Sequence, residues 1–584
     1  MTTWLYSSKH STWQWAFGLF ALILSSIPLS EVVRTPLILV LALVGLLAVL
    51  GQVQGAVLRL WKVVRRLAGP DQDLVATVES RLRRDAYPAL FWWRLLHVVV
   101  ALVAIFFFVS AAINSMESAH AQTLVQSGAF ATLFTCLMAS NTALSFWLRF
   151  DMTAGRLISL TYVLVAVFAG LVLSHPVSLR SGVAISLVDA LFMSCSALTV
   201  TGLATVDLAA TFSTFGKLVL LALIQTGGIG IVVITAGLAV LVRRRLSIKQ
   251  VQVGAETYAL PEVGSLPAFF AKVVLLTLSF QFLGALVMYA SLPADLEMRW
   301  LHALFHAVSA FCNAGLSTFS ASVAGSDSLI FKVMVCILIV AGGIGFPVAI
   351  EVFSRLGNRG QRISRLSDNA LLPLIITVLL LVGGALAIFG ANVTARHAPI
   401  GTEISDALFY SVSARTAGFT LNPLPGMSTG AQLVIVLLMA VGGGPVSTAG
   451  GMKTTTLGVL LCTMVSSLRG HKWVQFRRRE IPAYIVQKAV TVCGLFVGTI
   501  FLAFMLLLVL ERSAPWPLFF ECVSALATVG LSLDLTPQLS APGKIVVMML
   551  MLVGRIGLAT VVYAGVGKIG EQKYRMAPGR FDVG

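Results

Sequence analysis

From about residue 153 onward the apolar positions fall into the same order four times. A long apolar run is followed by a short one of about 10–14 residues, then a glycine-bearing turn, then another long run. The long runs reach the ~20 apolar residues that cross a hydrocarbon core, whereas the short ones suit half-helices. Leading spans are predicted near 156–175, 267–292, 369–391 and 483–510, and closing spans near 215–242, 328–353, 430–467 and 541–566. Upstream, apolar runs near 14–30, 35–56, 93–115 and 126–148 predict four further spans, with a charged stretch from Lys62 to Arg94 between the pairs. The expectation is an all-α polytopic membrane protein of about twelve spans and four half-helices. It divides into an accessory N-terminal region (1–152), four repeats (153–250, 251–366, 367–480 and 481–570) and a C-terminal tail (571–584).

Each short run stops at a tetrad of small residues closed by glycine and an apolar residue. The tetrads are Val200-Thr201-Gly202-Leu203, Asn313-Ala314-Gly315-Leu316, Thr416-Ala417-Gly418-Phe419 and Thr528-Val529-Gly530-Leu531. The closing runs carry glycine clusters that begin at Gly227, Gly342, Gly442 and Gly554, which lie 25, 27, 24 and 24 residues beyond the tetrad glycines. One glycine in a membrane helix is commonly a close-packing residue. Four tetrads at nearly constant distance from four clusters instead predict a single-chain, pseudo-fourfold ion pore. Glycine admits positive φ and β-branched residues favour extended backbone, so each tetrad is expected as an extended strand. Four such strands would turn carbonyl oxygens inward and replace the hydration shell of a monovalent cation. The negative C-terminal ends of the half-helices favour a cation over an anion.

Composition narrows the class. With 58% hydrophobic and only 11% charged residues, the chain has too little polar surface to cover a water-soluble globule of 584 residues. The net charge of +17 could suggest a nucleic-acid partner, but the basic residues sit in short loops between spans. They cluster at Arg59 to Arg66, Arg81 to Arg84, Arg243 to Lys249, Arg355 to Arg365, Arg469 to Arg479 and Lys568 to Arg580. Glu117, Asp295, Glu297, Glu403 and Glu511 fall mostly in the opposite loops. The positive-inside rule then places both termini in the cytoplasm and the tetrads on the outer side of a cell membrane. The seven cysteines form no CxxC pair, so packing is their expected use. The run Trp15 to Ile27 follows Lys9 and His10 as in a signal peptide, but lacks a small-x-small site and reads as an uncleaved span.

The runs Ser196–Leu203, Phe311–Leu316, Ser413–Phe419 and Ala527–Ser532 resemble the four filter loops of the Trk/Ktr/HKT potassium transporter superfamily, closest to the bacterial Trk/Ktr membrane subunits. Thr226–Gly230, Gly442–Thr454 and Gly554–Gly557 are similar to its second-helix motifs, so the resemblance covers roughly 155–570. It implies potassium as the transported ion, with Gly202, Gly315, Gly418 and Gly530 in a selectivity filter. Serine at the first of these goes with sodium permeation in some plant members, so Gly202 favours potassium. Thr199–Gly202, Cys312–Gly315, Arg415–Gly418 and Ala527–Gly530 form the expected ion-binding set. K+ would be held mainly by carbonyls of Val200, Thr201, Asn313, Ala314, Thr416, Ala417, Thr528 and Val529. The resemblance further implies a homodimer and a separate cytosolic ring of nucleotide-binding regulatory subunits, which the basic loops could dock. No tightly bound cofactor is expected in this chain. Leu316 in place of Phe, Leu558 in place of Pro and the four extra N-terminal spans depart from the family pattern.

The third closing run is interrupted by Gly442, Gly443, Gly444, Gly450 and Gly451, with a proline and hydroxyl residues among them. An irregular loop at membrane depth needs water or polar protein around it. By resemblance, 442–454 is an intramembrane gating loop. Gly450-Gly451-Met452-Lys453-Thr454 lacks the Gly-Lys pair of a phosphate loop and the strand before it. Arg555 aligns with Gly228, Gly343 and Gly443, and a charge inside a span usually faces protein or water. It is expected as a barrier or latch bonded to carbonyls of 442–454, or else as a snorkelling structural arginine. Lys453 either joins it or reaches the cytoplasmic side. Asp189, Asp406 and Glu521 either draw cations to the outer mouth or, for the two aspartates, cap helices. His302 and His306 have i,i+4 spacing without a third metal ligand.

No nucleophile–base pair, metal triad or paired intramembrane carboxylates support an enzyme. A non-conducting sensor is opposed by the intact tetrad glycines. The expected function is therefore potassium-selective uptake, with a sodium or mixed monovalent cation permease as the alternative.

Overall fold

The computed structural model describes residues 154–230, 266–357, 366–392 and 399–557. The chain divides into two units, Met1–Ala143 and Leu144–Gly584, and every described residue lies in the second. The four expected N-terminal spans, the basic loop Arg243 to Lys249 and the C-terminal tail lie outside the described residues.

The leading helices are Ala154–Leu173, Leu266–Ser291, Asp368–Ala391 and Ala483–Leu510. The last three are long and apolar enough to cross a membrane. Their outer faces expose Leu275, Phe282, Leu386, Leu502 and Val509, a surface suited to lipid rather than water. The short helices are Leu187–Thr199, Arg299–Cys312, Ile400–Ser413 and Pro515–Ala527, with 13, 14, 14 and 13 residues.

The closing helices start alike, on Ser213, Ser328, Ser428 and Ser540. Each serine hydroxyl accepts the N–H three residues on, satisfying a donor the helix leaves orphaned. They run Thr214–Ile229, Leu329–Gly343, Thr429–Ala440 and Ala541–Ile556. The expected continuous span over 328–353 is corrected here. The second closing helix breaks after Gly343, and the chain bends by 102° into a further helix, Phe346–Gly357. Gly345 at the corner takes φ 104°, and Gly230 and Gly557 end their helices at φ 89° and 97°. Only glycine adopts such angles without strain. The third closing element resumes as Thr454–Leu468, so its interruption stands as the sequence reads.

Within each repeat the leading helix packs on the short helix. Each closing helix also packs on the short helix of the following repeat, and the fourth packs on the short helix of the first. The described helices thus follow one another around a closed circuit.

Candidate functional site

Thr199, Cys312 and Ala527 are the last helical residues of their short helices, so three tetrads begin where a helix ends. Two places before each tetrad glycine the backbone is left-handed: Val200 (φ 57°), Asn313 (59°), Thr416 (67°) and Thr528 (52°). The expected extended strand does not form at these positions. Three of the four residues are β-branched, for which this region costs about 1–2 kcal/mol. Helix termination explains the override. The next N–H turns back to the helix, from Thr201 to the Ser196 carbonyl (2.9 Å), Ala314 to Ser309 (2.8 Å) and Val529 to Ser524 (2.9 Å). This closure requires a left-handed residue before that N–H, whatever its side chain prefers. In the third repeat, one residue shorter, the Ser413 carbonyl accepts the N–H of Ala417 (2.9 Å), which follows left-handed Thr416, as well as that of Gly418 (3.2 Å). Strain of this kind persists only where surrounding structure over-determines it.

The same four serines also hold the tetrads through their hydroxyls. Ser196 and Ser524 accept the N–H of Gly202 (3.0 Å) and Gly530 (3.1 Å). Ser309 and Ser413 donate to the carbonyls of Leu316 (2.7 Å) and Phe419 (2.6 Å), just past their glycines. All four are fully buried or nearly so. Sequence reading quoted Ser196 and Ser413 within the filter runs without giving them a role, and Ser309 and Ser524 fell outside those runs. The available signal was the Ser-Ala pair that recurs ahead of every tetrad.

The tetrad glycines meet in a ring. A Cβ added at Gly202 would lie 2.4 Å from the Ala314 carbonyl oxygen, and at Gly315 2.6 Å from that of Ala417. At Gly418 it would lie 2.3 Å from Val529 O, and at Gly530 2.1 Å from Thr201 O, which closes the circuit. Each glycine also has positive φ, from 67° to 96°. Conformation and space therefore both demand glycine at these four positions.

The cluster glycines serve a different approach. Gly227, Gly342 and Gly554 abut the carbonyls of Leu198, Phe311 and Leu526, where a Cβ would fall within 1.8, 1.8 and 2.0 Å. They let the first, second and fourth closing helices press against the ends of their own short helices. Gly342→Ala should therefore lower the melting temperature of the purified protein sharply, since overpacking costs ~1–3 kcal/mol or more. Gly383→Ala is the control: its added Cβ meets nothing within 4 Å, and the melting temperature should hold or rise.

Beneath the ring, residues 441–453 cross from the third repeat toward the others. Gly442 N–H donates to the Met452 carbonyl (2.9 Å) and Gly444 N–H to Gly343 (2.7 Å), while Phe346 N–H donates to Val446 (3.0 Å). The loop is thereby tied to the break in the second closing helix. Thr448 Oγ1 donates to the Phe311 carbonyl (3.2 Å), and Gly450 packs against Thr528. Gly443 abuts the Gly343 carbonyl, and Gly451 lies beside Ala527. From the fourth closing helix, Arg555 Nη1 donates to the Thr448 carbonyl. Its Nη2 donates to the carbonyls of Gly227 and, at 3.2 Å, Gly228. One guanidinium thus joins the loop to the first repeat. Lys453 folds back on its own loop, donating to Ala449 O (2.7 Å). Arg415 is buried with Nη2 donating to Gly442 O (3.1 Å) and Thr377 Oγ1 (3.3 Å), so its side chain supports the loop from outside the ring.

The remaining polar candidates separate. Asp189 does not cap its helix; Ser186 does, its hydroxyl accepting the Asp189 N–H (3.1 Å) and donating to the Asp189 carboxylate (2.7 Å). Asp189 also pairs with Lys544 at 2.7 Å. Burial pushes its carboxyl up, but bonding to Lys544 and Ser186 outweighs that and holds it below its ordinary range. Asp406 is likewise no cap: its helix begins after Pro399, and its carboxylate accepts from Asn422 Nδ2 (2.8 Å). Glu521 lies inside its short helix rather than at the outer end and is fully buried. His302 bonds Thr318 Oγ1 (2.6 Å), and the ring of His306 stacks on Phe319.

The comparisons agree with this architecture. The TrkH cation transport protein model matches residues 120–573. Potassium uptake protein B of the Bacillus subtilis Ktr system is 32% identical over 431 residues, covering 72% of this chain and 94% of that protein. The potassium/sodium uptake protein NtpJ of Enterococcus hirae is also 32% identical, over 424 residues, covering 70% and 92%. The crystal structure of the potassium transporter TrkH from Vibrio parahaemolyticus matches with a TM-score of 0.61 at 17% identity, covering 80% of this chain and 97% of that one, a likeness of fold. A multi-pass helical membrane protein whose sequence matches that model over most of its length is assigned by it: the chain belongs to the TrkH cation transport protein family.

Proposed function

We propose that the chain takes up potassium through a pore whose selectivity filter is the glycine ring, gated by 442–454 and Arg555. The observation that carries this reading is the closed circuit of contacts from Gly202 to Ala314, Gly315 to Ala417, Gly418 to Val529 and Gly530 to Thr201. Four backbone segments brought to one place inside a membrane protein can offer carbonyls to a dehydrated cation. The four repeats then form a pseudo-fourfold array around one axis, and the loop with Arg555 lies across the inner route. The relatives named for potassium uptake support the choice of ion.

A mixed potassium and sodium permease is the second reading, favoured by the equal identity to NtpJ. Flux of K+, Rb+, Na+ and Li+ into proteoliposomes separates the two. Potassium selectivity predicts K+ and Rb+ entry at least about tenfold above Na+, a difference of ~1.4 kcal/mol in barrier. Equal Na+ entry would establish the permease.

The proposal includes a homodimer and a separate cytosolic nucleotide-binding ring, consistent with relatives described as parts of a Ktr system. The described basic hairpin Gln475–Phe476 and Arg479–Glu480 is a docking surface for that ring, with Arg477, Arg478 and Arg479 exposed and the first and last of them beside Asp368. Both termini are placed on the same cytoplasmic side, with residues 1–152 as an accessory region.

A further inference from the structure

Three residues before each Ser-Ala pair stand Met193, His306, Tyr410 and Glu521. All four are buried in the short helices, one turn before the serines. Three of them carry polar heads, and each head reaches the chain that leaves its own tetrad glycine. His306 Nε2 bonds Ser317 Oγ at 2.9 Å, two residues past Gly315. Tyr410 Oη donates to the Asn422 carbonyl (2.6 Å) and accepts the N–H groups of Asn422 (2.8 Å) and Leu421 (3.3 Å). Glu521 accepts from Ser532 Oγ, two residues past Gly530, and from Thr536 Oγ1 at 3.0 Å. The first repeat differs at both ends: Met193 stands in the helix, and Ala204 takes the place of Ser317 and Ser532.

We propose that His306, Tyr410 and Glu521 are positioning residues that pin the outgoing chain at three of the four glycines, and that the Met193 position leaves the first without such a pin. The inference rests on the ring being the filter. The serines fix the backbone at the glycine, and the second tier fixes it two to four residues later. A loop held at both points keeps its carbonyls in place, whereas one held only at the first can shift. Buried polar heads of this kind are kept only when their partners are met, since an unpaired one is costly. Three different side chains at one repeat position, each bonded to the chain that leaves its own tetrad glycine, indicate a shared task.

The test removes the bonds from either end and reads the K+ to Na+ flux ratio in proteoliposomes. Tyr410→Phe keeps the ring and loses the hydroxyl; Ser317→Ala and Ser532→Ala take the partners from His306 and Glu521. Each should lower the ratio about three- to tenfold, the range one net hydrogen bond can supply. Met193→Leu removes no hydrogen bond and should leave the ratio at its wild-type value. The shift in melting temperature produced by K+ against Na+ gives a second ratio that does not depend on an open gate. A lower melting temperature with unchanged ratios would make these residues purely structural and overturn the proposal. So would wild-type ratios in all three variants while Gly202→Ser alters them. If Gly202→Ser also leaves the ratios unchanged, the filter assignment itself fails, a distinct result. Should Tyr410→Phe not fold, the two serine variants decide.

Discussion

Gly202→Ser should convert a potassium-selective flux into one that admits sodium, with the K+ to Na+ ratio falling about tenfold or more. Two separate penalties act at this position. Gly202 has φ 96°, where any other residue is strained, by about 1–2 kcal/mol in the left-handed region. The serine Cβ would also stand 2.4 Å from the Ala314 carbonyl oxygen, and that neighbour is backbone rather than a side chain that can swing aside. Relief must come from moving the Ala314 carbonyl or the Gly202 backbone, and both belong to the proposed filter. A tenfold loss of discrimination needs only ~1.4 kcal/mol, less than the combined strain. Because Met193 offers the first repeat no polar head like those of His306, Tyr410 and Glu521, its loop is expected to yield before the protein unfolds. The measurement is paired K+ and Na+ flux in proteoliposomes with a melting curve of the same preparation. An unchanged ratio in a folded variant would remove Gly202 from the filter.

Arg555→Ala should raise the basal flux of the purified protein by about tenfold or more, without any regulatory partner. The guanidinium makes hydrogen bonds to Thr448, Gly227 and Gly228 carbonyls. Bonds from a charged donor contribute ~1.5–3 kcal/mol each, so their loss can shift a closed loop toward an open one by several powers of ten at most. Removing the positive charge also removes repulsion of the passing cation. Arg555→Lys is the informative companion: one compact ammonium cannot reach three carbonyls at once, yet it keeps the charge. High flux in both variants would assign the closure to the bonds, and high flux in alanine alone would assign it to the charge. Wild-type flux in both would mean that Arg555 does not hold the gate.

Much of the described architecture is legible in hydropathy and glycine spacing, because helix ends are local events. The runs 369–391 and 483–510 agree with helices Asp368–Ala391 and Ala483–Leu510 to within a residue. Tetrads were readable as helix stops because small residues and glycine interrupt an apolar run. What stayed hidden depends on partners distant in sequence. The break at Gly343–Gly345 lies in a segment that is apolar throughout, and the corner is formed against Pro445 of another repeat. The left-handed turn at Val200, Thr416 and Thr528 opposes their own preference and is imposed by the helix behind them. The serine tier was visible as a repeated pair, but its hydrogen bonds become apparent only once the chain has folded back. Asp189, read as either an attractor or a cap, is paired with Lys544, 355 residues away in sequence, a partner no local pattern reveals.

The closed circuit of repeats has a consequence for how the protein is made. The first short helix, Leu187–Thr199, rests on the fourth closing helix, Ala541–Ile556, and Thr201 meets Gly530. Synthesis proceeds from the N-terminus, so the earliest of these surfaces waits for nearly the last. Until then the first repeat carries a bare flank with buried-type polar groups, and loop closure over such a separation is slow. A ribosome that stops short of Ala541 releases a chain that holds all four tetrads but lacks the helix that packs on both the first and the fourth short helices. Quality control at the membrane would then meet a chain whose first and fourth repeats are both incompletely covered.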